Sequence, residues 1–446
     1  MIDIFNNVKI KSNLQKINYV NKMVDYLNLD YEPNDKDLIA MYYVEKAPEC
    51  KDIEHACMEI AKESSIGTWT KILTMSEDIA KNLKPSTFYI NDANNIIKIA
   101  YNEDLFEADN ISQILSAIAG NIFGMKTLRY LRLLDIQFPK NIVQKYKGPK
   151  FGVEGIRNLT KIEKRPLLGT IVKPKVGLNE IEHAEVCAKA WQGGLDIVKD
   201  DENLTSMKFN QFEKRVEKTL EKRDKIEEKT GLKKIYMPNI SAKVSVMKKR
   251  ADFVIDHGGE YVMIDVLTTG FSAVQEMRDY LDNKNIAIHA HRAMHAAITR
   301  DKKHGMTMLS LAKIMRLLGV DQLHTGTVIG KMQGGKREVI EINKTITESH
   351  VQGNNETLLD QKWYDIKPIL PVASGGLSPL DVPELVKILG KNMVFQFGGG
   401  CHGHPMGTEA GARAIRQALD ATLKNIEIEN YSESHSELKH ALQKWG

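Results

Sequence analysis

Eight short apolar runs recur along the chain from about residue 165 onward, and segments with helical periodicity separate them. Several runs are apolar on both faces, as are the strands of a parallel sheet that is covered on both sides. Eight strand-then-helix units in about 270 residues predict an α/β fold of the (β/α)8 TIM-barrel type. A doubly wound sheet is the alternative, but the count of eight and the lack of a G-x-G-x-x-G motif after the first run favour the barrel. The runs span residues 166–172, 194–198, 234–240, 261–266, 286–291, 321–326, 369–374 and 393–398.

The part of the chain before these runs has a different pattern, in which strand-like and helix-like segments are mixed. Such mixing within about 130 residues predicts a small α+β sandwich. We therefore expect an N-terminal α+β domain over residues 1–146, and a barrel with a C-terminal helical tail over residues 147–446. The strand-like segments are 37–47, 86–92 and 95–102, and the helical ones are 52–65 and 111–124.

Composition and charge narrow the classes of partner. The chain has 446 residues and a formal net charge of only +4, which gives no reason to expect a nucleic acid. Its four cysteines form no C-x-x-C pair, so we expect reduced thiols and no structural zinc. No apolar run approaches the roughly 20 residues of a membrane span, and the N-terminus has no apolar signal segment. These features predict a cytoplasmic protein with no membrane partner.

Polar or glycine residues follow six of the eight predicted strands. The C-terminal ends of barrel strands meet at one rim, and that rim carries the active site in enzymes of this fold. Each group alone has a plain structural explanation as a surface lysine, a hydrogen-bonded histidine or a tight turn. Six of them at one rim predict a site instead. The groups are Lys173 and Lys175 after the first run, Lys199 to Glu202 after the second, His291 and Arg292 after the fifth, His324 after the sixth, Ser374 to Gly376 after the seventh, and Gly398 to Gly400 after the eighth.

The chemistry of these groups indicates a metal ion and a substrate with two phosphates. Asp201 and Glu202 offer hard oxygen ligands of the kind that Mg²⁺ prefers. The glycines after the last two runs can present backbone N–H groups to one phosphate. Arg292 and His324 could hold a second anion, and the lysines would balance its charge. We therefore expect a small bisphosphorylated substrate.

The segment "GTVIGK" (326–331) resembles a phosphate-binding P-loop only superficially. Its glycines are too close together, and Met332 stands where the P-loop needs Ser or Thr. We interpret the segment as a glycine-hinged loop that carries Lys331 over the site as a lid.

The rim motifs together resemble the large subunit of ribulose-1,5-bisphosphate carboxylase/oxygenase (Rubisco). They are "GTIVKPKVGL", "GGLDIVKDDEN", "HAHRAMHAA", "HTGTVIGK", "VASGG" and "QFGGGCHGHP". The N-terminal motifs "ESSIGTWT" (63–70) and "GNIFGMKTLRYLRLLD" (120–135) resemble the same family. Chain length and loops are most similar to the archaeal form III enzymes. The resemblance implies a ferredoxin-like N-terminal domain in front of the barrel, and a carboxylase activity with an oxygenase side reaction.

The resemblance also implies how the reaction is divided among residues. Activating CO₂ would convert Lys199 to a carbamate, which would bind Mg²⁺ together with Asp201 and Glu202. The carbamate would also be the base that removes the C3 proton of ribulose 1,5-bisphosphate to form its enediol. Addition of CO₂ to that enediol would give two molecules of 3-phosphoglycerate. Lys173 would transfer protons, His291 would assist hydration and cleavage, and Lys331 would hold the new carboxylate. Carbamylation needs a neutral amine, and the sequence leaves open whether burial or the adjacent carboxylates dominate the pKa of Lys199. Asp200, between Lys199 and Asp201, is expected to be structural.

The remaining site residues and the partners come from the same resemblance. Four N-terminal residues would reach the barrel of a neighbouring subunit, so we expect a homodimer or a ring of dimers, and no small subunit is inferred. The four are Glu63, Thr68, Trp69 and Asn121. One phosphate would contact Thr68, Trp69, Gly376, Gly398 and Gly399, the other would contact Arg292 and His324, and Lys175, Ser374, Gly375 and Gln396 would complete the substrate site.

Two other functions compete with a carboxylase. A Rubisco-like isomerase of methionine salvage would enolise a related substrate without adding CO₂, but such proteins usually replace the lid lysine, and Lys331 is present here. A non-catalytic sugar-phosphate binding protein would not need a full rim of acids, bases and metal ligands.

The chain departs from the pattern of the family at Gln333, where many carboxylases have Glu, and this leaves the ordering of the lid open. Form III enzymes are associated with salvage of the ribose of AMP and other nucleosides, which is the expected role.

Overall fold

The structure is a computed structural model that describes residues 24–70, 72–329, 335–354 and 356–446. Within these ranges the strands are β1 (Asp37–Lys46), β2 (Ser86–Asn91), β3 (Ile96–Asn102), β4 (Leu128–Gln137), β5 (Leu167–Ile171), β6 (Ile197–Lys199), β7 (Ile235–Met237), β8 (Tyr261–Asp265), β9 (Ala287–His291), β10 (Gly305–Met306), β11 (Gln322–His324), β12 (His350–Val351), β13 (Gln361–Lys362), β14 (Leu370–Ser374) and β15 (Val394–Phe397). The α-helices are α1 (Ile53–Glu63), α2 (Glu77–Leu83), α3 (Ile111–Ile118), α4 (Lys140–Val143), α5 (Gly152–Thr160), α6 (Glu180–Gln192), α7 (Phe212–Thr230), α8 (Val244–Asp256), α9 (Val266–Thr269), α10 (Phe271–Tyr280), α11 (His295–Thr299), α12 (Met308–Leu318), α13 (Lys336–Thr347), α14 (Val382–Leu389), α15 (Gly399–His402), α16 (Thr408–Leu423), α17 (Ile428–Ser432) and α18 (Ser436–Trp445). In the same described ranges, short 3-10 helices span Glu103–Leu105, Asn121–Gly124 and Pro379–Asp381.

The chain forms two compact units. The first unit comprises the residues up to Tyr146 together with Ile298–Leu311 and His350–Tyr364, and the second unit comprises Lys147–Ala297, Ala312–Ser349 and Asp365–Gly446. The predicted division of the sequence after residue 146 stays a prediction, because the first unit also contains two later segments of the chain.

The first unit is built on a five-stranded sheet with the order β10-β4-β1-β3-β2. The neighbours from β4 to β2 are antiparallel, and the two-residue strand β10 joins β4 in parallel. Strand β1 lies in the middle, and its first six residues are all buried, because the sheet is covered on both faces. Helix α3 is tied to this sheet by the buried Tyr42 hydroxyl, which donates to the Ile118 carbonyl at 2.7 Å. These features confirm the predicted α+β domain.

The second unit contains an eight-stranded parallel sheet with the order β7-β6-β5-β15-β14-β11-β9-β8. Seven of the eight apolar runs contain one of these strands completely, and β6 begins inside the second run and extends one residue beyond it, to Lys199. The chain enters the sheet at β5 in the middle of this order, and a parallel bridge between Asn239 and Met263 connects the two outer strands β7 and β8. The sheet therefore closes on itself, and the predicted (β/α)8 barrel is confirmed.

The two ends of the barrel differ in chemistry. At the N-terminal end, the first residues of the strands form an apolar core with Leu167, Ile197 and Tyr261 among its buried members. Helix α5 covers this end, and its Ile156 is part of the same core. Polar side chains at this end pair with one another outside the apolar core, as Arg165 and Asp196 do at 2.6 Å. The predicted rim residues lie at the opposite end, where the strands finish. None of the described helices combines the length and the apolar character that are needed to cross a lipid bilayer.

Candidate active site

Side chains at the C-terminal ends of the barrel strands form a nearly continuous ring of contacts. At one side a Cβ built on Gly398 would lie 3.6 Å from Cε of Lys173, whose ammonium donates to Asp201 at 2.6 Å. On the other side of Asp201 and Glu202, Nε2 of His291 lies 3.8 Å from Glu202. The His291 ring then meets the ring of His324 edge to face, with 4.9 Å between centroids. The predicted rim residues of β5, β6, β9, β11 and β15 are thus brought together by the fold.

Lys199 is the last residue of β6 and is almost completely buried, with 1% of its surface exposed. Its ammonium donates to the Asp200 carbonyl at 2.9 Å and lies 3.3 Å from the sulfur of Met263. Burial lowers the pKa of Lys199, although the carboxylates of Glu202 and Asp201 act in the opposite direction. The question that the sequence left open is therefore answered: desolvation dominates, and the amine is more easily deprotonated than a surface lysine.

Asp201, which is buried, and Glu202, which is partly buried, both stay ionised. Burial raises the pKa of Asp201, but its hydrogen bond to Lys173 and bonds from Asn203 outweigh this effect and lower the pKa. The pKa of Glu202 is lowered as well, because a backbone N–H and the charges of His291 and Lys199 outweigh burial. Both side chains can therefore supply charged oxygen ligands.

His291, at the end of β9, is oriented by a carboxylate. Its Nδ1 lies 2.7 Å from Oδ1 of Asp265, the last residue of β8. Asn239, just after β7, donates to the other Asp265 oxygen at 3.3 Å and to the Glu202 carbonyl at 3.2 Å. The carboxylate holds a proton on Nδ1 of His291 and orients the ring, so that Nε2 faces the rim near Glu202.

His324 and Ser374 occupy the next two strand ends. The Ser374 hydroxyl lies 2.7 Å from Nδ1 of His324, and Nε2 of His324 lies 3.0 Å from Nε2 of His289. His324 is buried, and burial lowers its pKa well below the usual value, so the ring is neutral. Both ring nitrogens already have partners within the chain, so donation to a phosphate would require one of these bonds to open.

Arg292 follows His291 and lies beside the glycine hinge of the predicted lid. A Cβ on Gly326 would come within 3.2 Å of the Arg292 guanidinium. Burial lowers the pKa of Arg292 to about 10, although Glu338 acts in the opposite direction. A desolvated cation of this kind favours the binding of an anion. The predicted lid lysine, Lys331, and Gln333 lie outside the described residues.

The glycines after β14 and β15 leave backbone atoms accessible at the same rim. Gly375 and Gly376 have φ values of +124° and +71°, which side chains on L-residues rarely allow. Nothing lies within 4 Å of a Cβ built at Gly399, whereas one at Gly400 would lie 2.1 Å from the Leu377 carbonyl oxygen. Gly400 is therefore needed for close packing, and Gly399 faces open space where a ligand could approach.

Two other predicted residues of the barrel have different surroundings. Lys175 is 56% exposed and reaches Glu202 at 3.4 Å. Gln396 is buried inside the barrel beside Gly169, and neither its amide oxygen nor its amide nitrogen has a hydrogen-bond partner among the described residues.

Asp200 is part of a separate, buried network beneath the rim. It accepts hydrogen bonds from Tyr236 at 2.7 Å and from the Asn239 backbone at 2.9 Å, and it pairs with Arg215 of α7 at 3.0 Å. The structural role that was predicted for Asp200 is confirmed by these bonds. The network anchors the strand end from which Lys199 and Asp201 project.

The four predicted residues of the first unit lie on its surface or near it. Glu63 ends α1, and Asn121 begins a 3-10 helix and is exposed. Trp69 is 85% exposed, which is unusual for a large aromatic side chain, and Thr68 before it is partly buried. Their predicted contact with a neighbouring subunit stays a prediction.

Three residues of the site, Asp265, Asn239 and His289, were not predicted from the sequence. Asn239 lies within the third apolar run and Asp265 within the fourth, and the bounds of both runs extended beyond the true strand ends. Ending each of these two runs at its first polar residue after the apolar stretch would have shown polar side chains at these strand ends as well. His289 lies inside a run, where nothing in the sequence separates it from the apolar residues around it.

Models of two protein domains match nearly the whole chain. The model for the ribulose bisphosphate carboxylase large chain, catalytic domain, matches residues 152–445, and the model for the N-terminal domain of the same chain matches residues 25–142. A protein of Methanocaldococcus jannaschii named ribulose bisphosphate carboxylase is 52% identical over 430 residues, which cover 95% of this chain and 100% of the relative. A protein of the same name from Pyrococcus furiosus is 48% identical, with coverage of 95% and 97%.

Solved structures agree with these relatives. The octameric ribulose-1,5-bisphosphate carboxylase/oxygenase of Pyrococcus horikoshii is 46% identical and superimposes with a TM-score of 0.88, covering 94% of this chain and 96% of that chain. The dimeric archaeal Rubisco of Hyperthermus butylicus is 39% identical with a TM-score of 0.89, covering 95% and 99%. The chain therefore belongs to the family of ribulose bisphosphate carboxylase large chains.

Proposed function

We propose that the protein is a carboxylase that adds CO₂ to the enediol of ribulose 1,5-bisphosphate and releases two molecules of 3-phosphoglycerate. The observation that carries this proposal is the rim itself. A buried lysine with a lowered pKa, two ionised carboxylates, a carboxylate-oriented histidine and accessible glycine backbones meet at the C-terminal ends of the barrel strands. Its relatives at about half identity carry the name of this enzyme.

Mg²⁺ fits the end of β6 only if Lys199 changes. Among the described residues no three His, Cys, Asp or Glu side chains form a group that could hold a metal ion. Asp201 and Glu202 provide two hard oxygen ligands, and a carbamate on Lys199 would provide the third. The lowered pKa of Lys199 supports this proposal, because CO₂ reacts with the neutral amine. When bound, the carbamate and Mg²⁺ would supply a base and a Lewis acid for enolisation.

The chain's own groups would then bind the substrate and move its protons. Lys173, held by Asp201 at 2.6 Å, is an ammonium placed beside the metal ligands and could deliver a proton to a carbanion. His291 would accept protons at Nε2, because Asp265 keeps the ring proton on Nδ1. Arg292 and the Gly399 backbone would hold the two phosphates at separate parts of the rim. Lys331 would close over the site with the lid.

The test is CO₂-dependent formation of 3-phosphoglycerate. Protein that has been incubated with Mg²⁺ and bicarbonate is given ribulose 1,5-bisphosphate and ¹⁴C-labelled bicarbonate, and acid-stable label in 3-phosphoglycerate is measured. We expect label to appear only when Mg²⁺ was present during activation. A protein that stays folded and shows no product under these conditions would contradict the proposal. Turnover of a diketo-phosphopentane substrate without carboxylation would favour the isomerase.

We also propose that the active site is shared between subunits, in a homodimer or a ring of dimers. The support is the exposed Trp69 in the first unit, and the dimeric and octameric states of the two similar structures. Mixing tests the idea. Lys199→Met and Trp69→Ala variants, each inactive alone, should regain activity when they are denatured and refolded together, because a mixed dimer contains one intact site. Failure to recover activity in mixed dimers would contradict sharing.

The pathway that supplies the bisphosphate stays the prediction made from the form III resemblance, which is salvage of the ribose of AMP and other nucleosides.

A further inference from the structure

Four side chains form a hydrogen-bonded line from the barrel interior to the rim. Gln322 and His289 are completely buried, and Oε1 of Gln322 lies 2.8 Å from Nδ1 of His289. Nε2 of His289 lies 3.0 Å from Nε2 of His324, and Nδ1 of His324 lies 2.7 Å from the Ser374 hydroxyl. The line, Gln322–His289–His324–Ser374, is defined by these three contacts.

The direction of each hydrogen bond follows from its first member. An amide oxygen only accepts, so Nδ1 of His289 carries a proton and donates it to Gln322. The Gln322 amide nitrogen points the other way and donates to the Tyr261 hydroxyl at 3.3 Å. A neutral His289 that is protonated on Nδ1 can only accept at Nε2, so His324 is protonated on Nε2 and accepts at Nδ1. The Ser374 hydroxyl must therefore donate its proton to His324.

Burial keeps both rings in the neutral form that this assignment needs. Burial lowers the pKa of His289 to about 3, with the charge of Lys199 acting in the same direction. The pKa of His324 is also well below its ordinary value, mainly because of burial and the neighbouring His289. Each imidazole then has one donor and one acceptor nitrogen. The Gln322 oxygen at the inner end therefore determines the direction of every hydrogen bond in the line.

We propose that His289 is a positioning residue that fixes the tautomer of His324 and thereby makes the Ser374 hydroxyl an acceptor toward the bound substrate. With its proton committed to His324, the Ser374 oxygen has only lone pairs to offer at the rim. It recognises a hydrogen-bond donor, such as a hydroxyl of a sugar phosphate, and disfavours a carbonyl oxygen at the same place. The identity of the sugar rests on the proposed function, but the polarity of the line does not.

Two substitutions at His289 separate this role from a purely structural one. In His289→Gln the side-chain amide can still place an oxygen near Nε2 of His324. In His289→Leu that acceptor is gone, and His324 is expected to move its proton to Nδ1 and donate to Ser374. The first measurement is ¹⁵N NMR of histidine-labelled protein without substrate, with the His324 signals assigned by their loss in a His324→Gln variant.

We expect the wild type and His289→Gln to show His324 protonated on Nε2, and His289→Leu to show it protonated on Nδ1. Protonation of His324 on Nδ1 in the wild type would overturn the proposal, because Ser374 would then be free to donate. This measurement needs no turnover, so its result stands whether or not the protein is a carboxylase.

The second measurement is the KM for ribulose 1,5-bisphosphate. His289→Leu should raise KM about three- to tenfold, the range for one neutral hydrogen bond, and leave kcat within about twofold. His289→Gln should stay close to the wild type. In a Ser374→Ala background His289→Leu should have no further effect on KM, since both changes act through the same hydroxyl. Equal KM values in the Leu and Gln variants, or a full effect of His289→Leu without the Ser374 hydroxyl, would overturn the assignment.

Discussion

The ion pair between Asp200 and Arg215 provides a quantitative prediction for the stability of the end of β6, which carries the proposed metal ligands. Both side chains are completely buried, and Nη2 of Arg215 lies 3.0 Å from Asp200. In Asp200→Asn the amide oxygen can still accept from Arg215 and from the Asn239 backbone, and the amide nitrogen can face Tyr236. The hydrogen bonds are thus mostly preserved, and the main change is the loss of the negative charge opposite a buried guanidinium.

The expected cost follows from that uncompensated charge. Breaking one partner of a buried pair destabilises a protein by about 3–5 kcal/mol, far more than an exposed pair. Arg215→Met should cost a similar amount, because it leaves Asp200 buried and charged. The double variant should cost about 2 kcal/mol less than the sum of the two single changes, since neither charge is then left alone.

The assay is urea unfolding monitored by circular dichroism. The free energies of unfolding are compared with one value of m, the dependence of the free energy on urea concentration, for all variants. Glu409→Gln is the matched control, since Glu409 pairs with Arg413 on the surface of α16 and its loss should change stability by less than about 0.5 kcal/mol. Additive effects of Asp200→Asn and Arg215→Met would refute the reasoning, as would a cost similar to that of the control.

The same pair predicts how stability depends on pH. Burial alone would raise the pKa of Asp200, but Arg215, the His183 ring 3.1 Å away and a hydrogen bond from the Asn239 backbone outweigh it and lower the pKa. A carboxyl whose pKa is lowered on folding stabilises the protein fully above its unfolded pKa of about 3.9, and this stabilisation is lost as the pH falls below that value. Asp200→Asn should therefore flatten the loss of stability in acid compared with the wild type.

Three further predictions concern the rim. Lys199→Met should abolish activation by CO₂ and Mg²⁺ with the circular dichroism spectrum unchanged, and a variant that is still activated would contradict the assignment of Lys199. Asp265→Asn should lower kcat about 10- to 100-fold with a smaller change in KM, because His291 loses the carboxylate that orients it; steady-state kinetics would show this, and an unchanged kcat would argue against it. Gly400→Ala should destabilise the fold by about 1–3 kcal/mol, because its Cβ would clash with the Leu377 carbonyl. Gly399→Ala should leave thermal unfolding unchanged and weaken bisphosphate binding in a titration. A stable Gly400→Ala variant and a destabilised Gly399→Ala variant would show that the two glycines have been assigned wrongly.

The barrel was predictable because its strands are buried on both faces. Burial of this kind leaves continuous apolar runs in the sequence, and each of the eight runs overlaps one strand. The clustering of Lys199, Asp201 and Glu202 was predictable for a related reason, because they are neighbours in sequence at the end of one strand. Their role as metal ligands stays a prediction. Both signals are local, so no knowledge of the packing was needed to find them.

Features that depend on distant parts of the chain were not predictable in this way. Strand β10 has only two residues, Gly305 and Met306, and it pairs with β4 of the first unit far earlier in the sequence. The helical segment predicted over residues 111–124 ends at Ile118, since a Cβ at Gly120 would lie 2.0 Å from the Ser116 carbonyl and the chain there turns into a 3-10 helix. The sequence shows a glycine but not the turn that requires it.

The electrostatics of the site depend on packing in the same way. The sequence shows the carboxylates beside Lys199, which raise its pKa, but not how completely the surrounding barrel buries the amine, which lowers it. His289 is a similar case, because its importance lies in contacts with Gln322 and His324 on a neighbouring strand. Only the register between β9 and β11 brings these side chains together.

The most direct test of the account is whether Lys199 becomes a carbamate. Wild-type protein and Lys199→Met are incubated with ¹³C-labelled bicarbonate, with and without Mg²⁺, and the ¹³C NMR spectrum is searched for a protein-bound carbamate signal. The account predicts one signal per chain that Mg²⁺ strengthens in the wild type and that is absent in Lys199→Met. A wild-type protein that carboxylates ribulose 1,5-bisphosphate without this signal, or an undiminished signal in Lys199→Met, would contradict it.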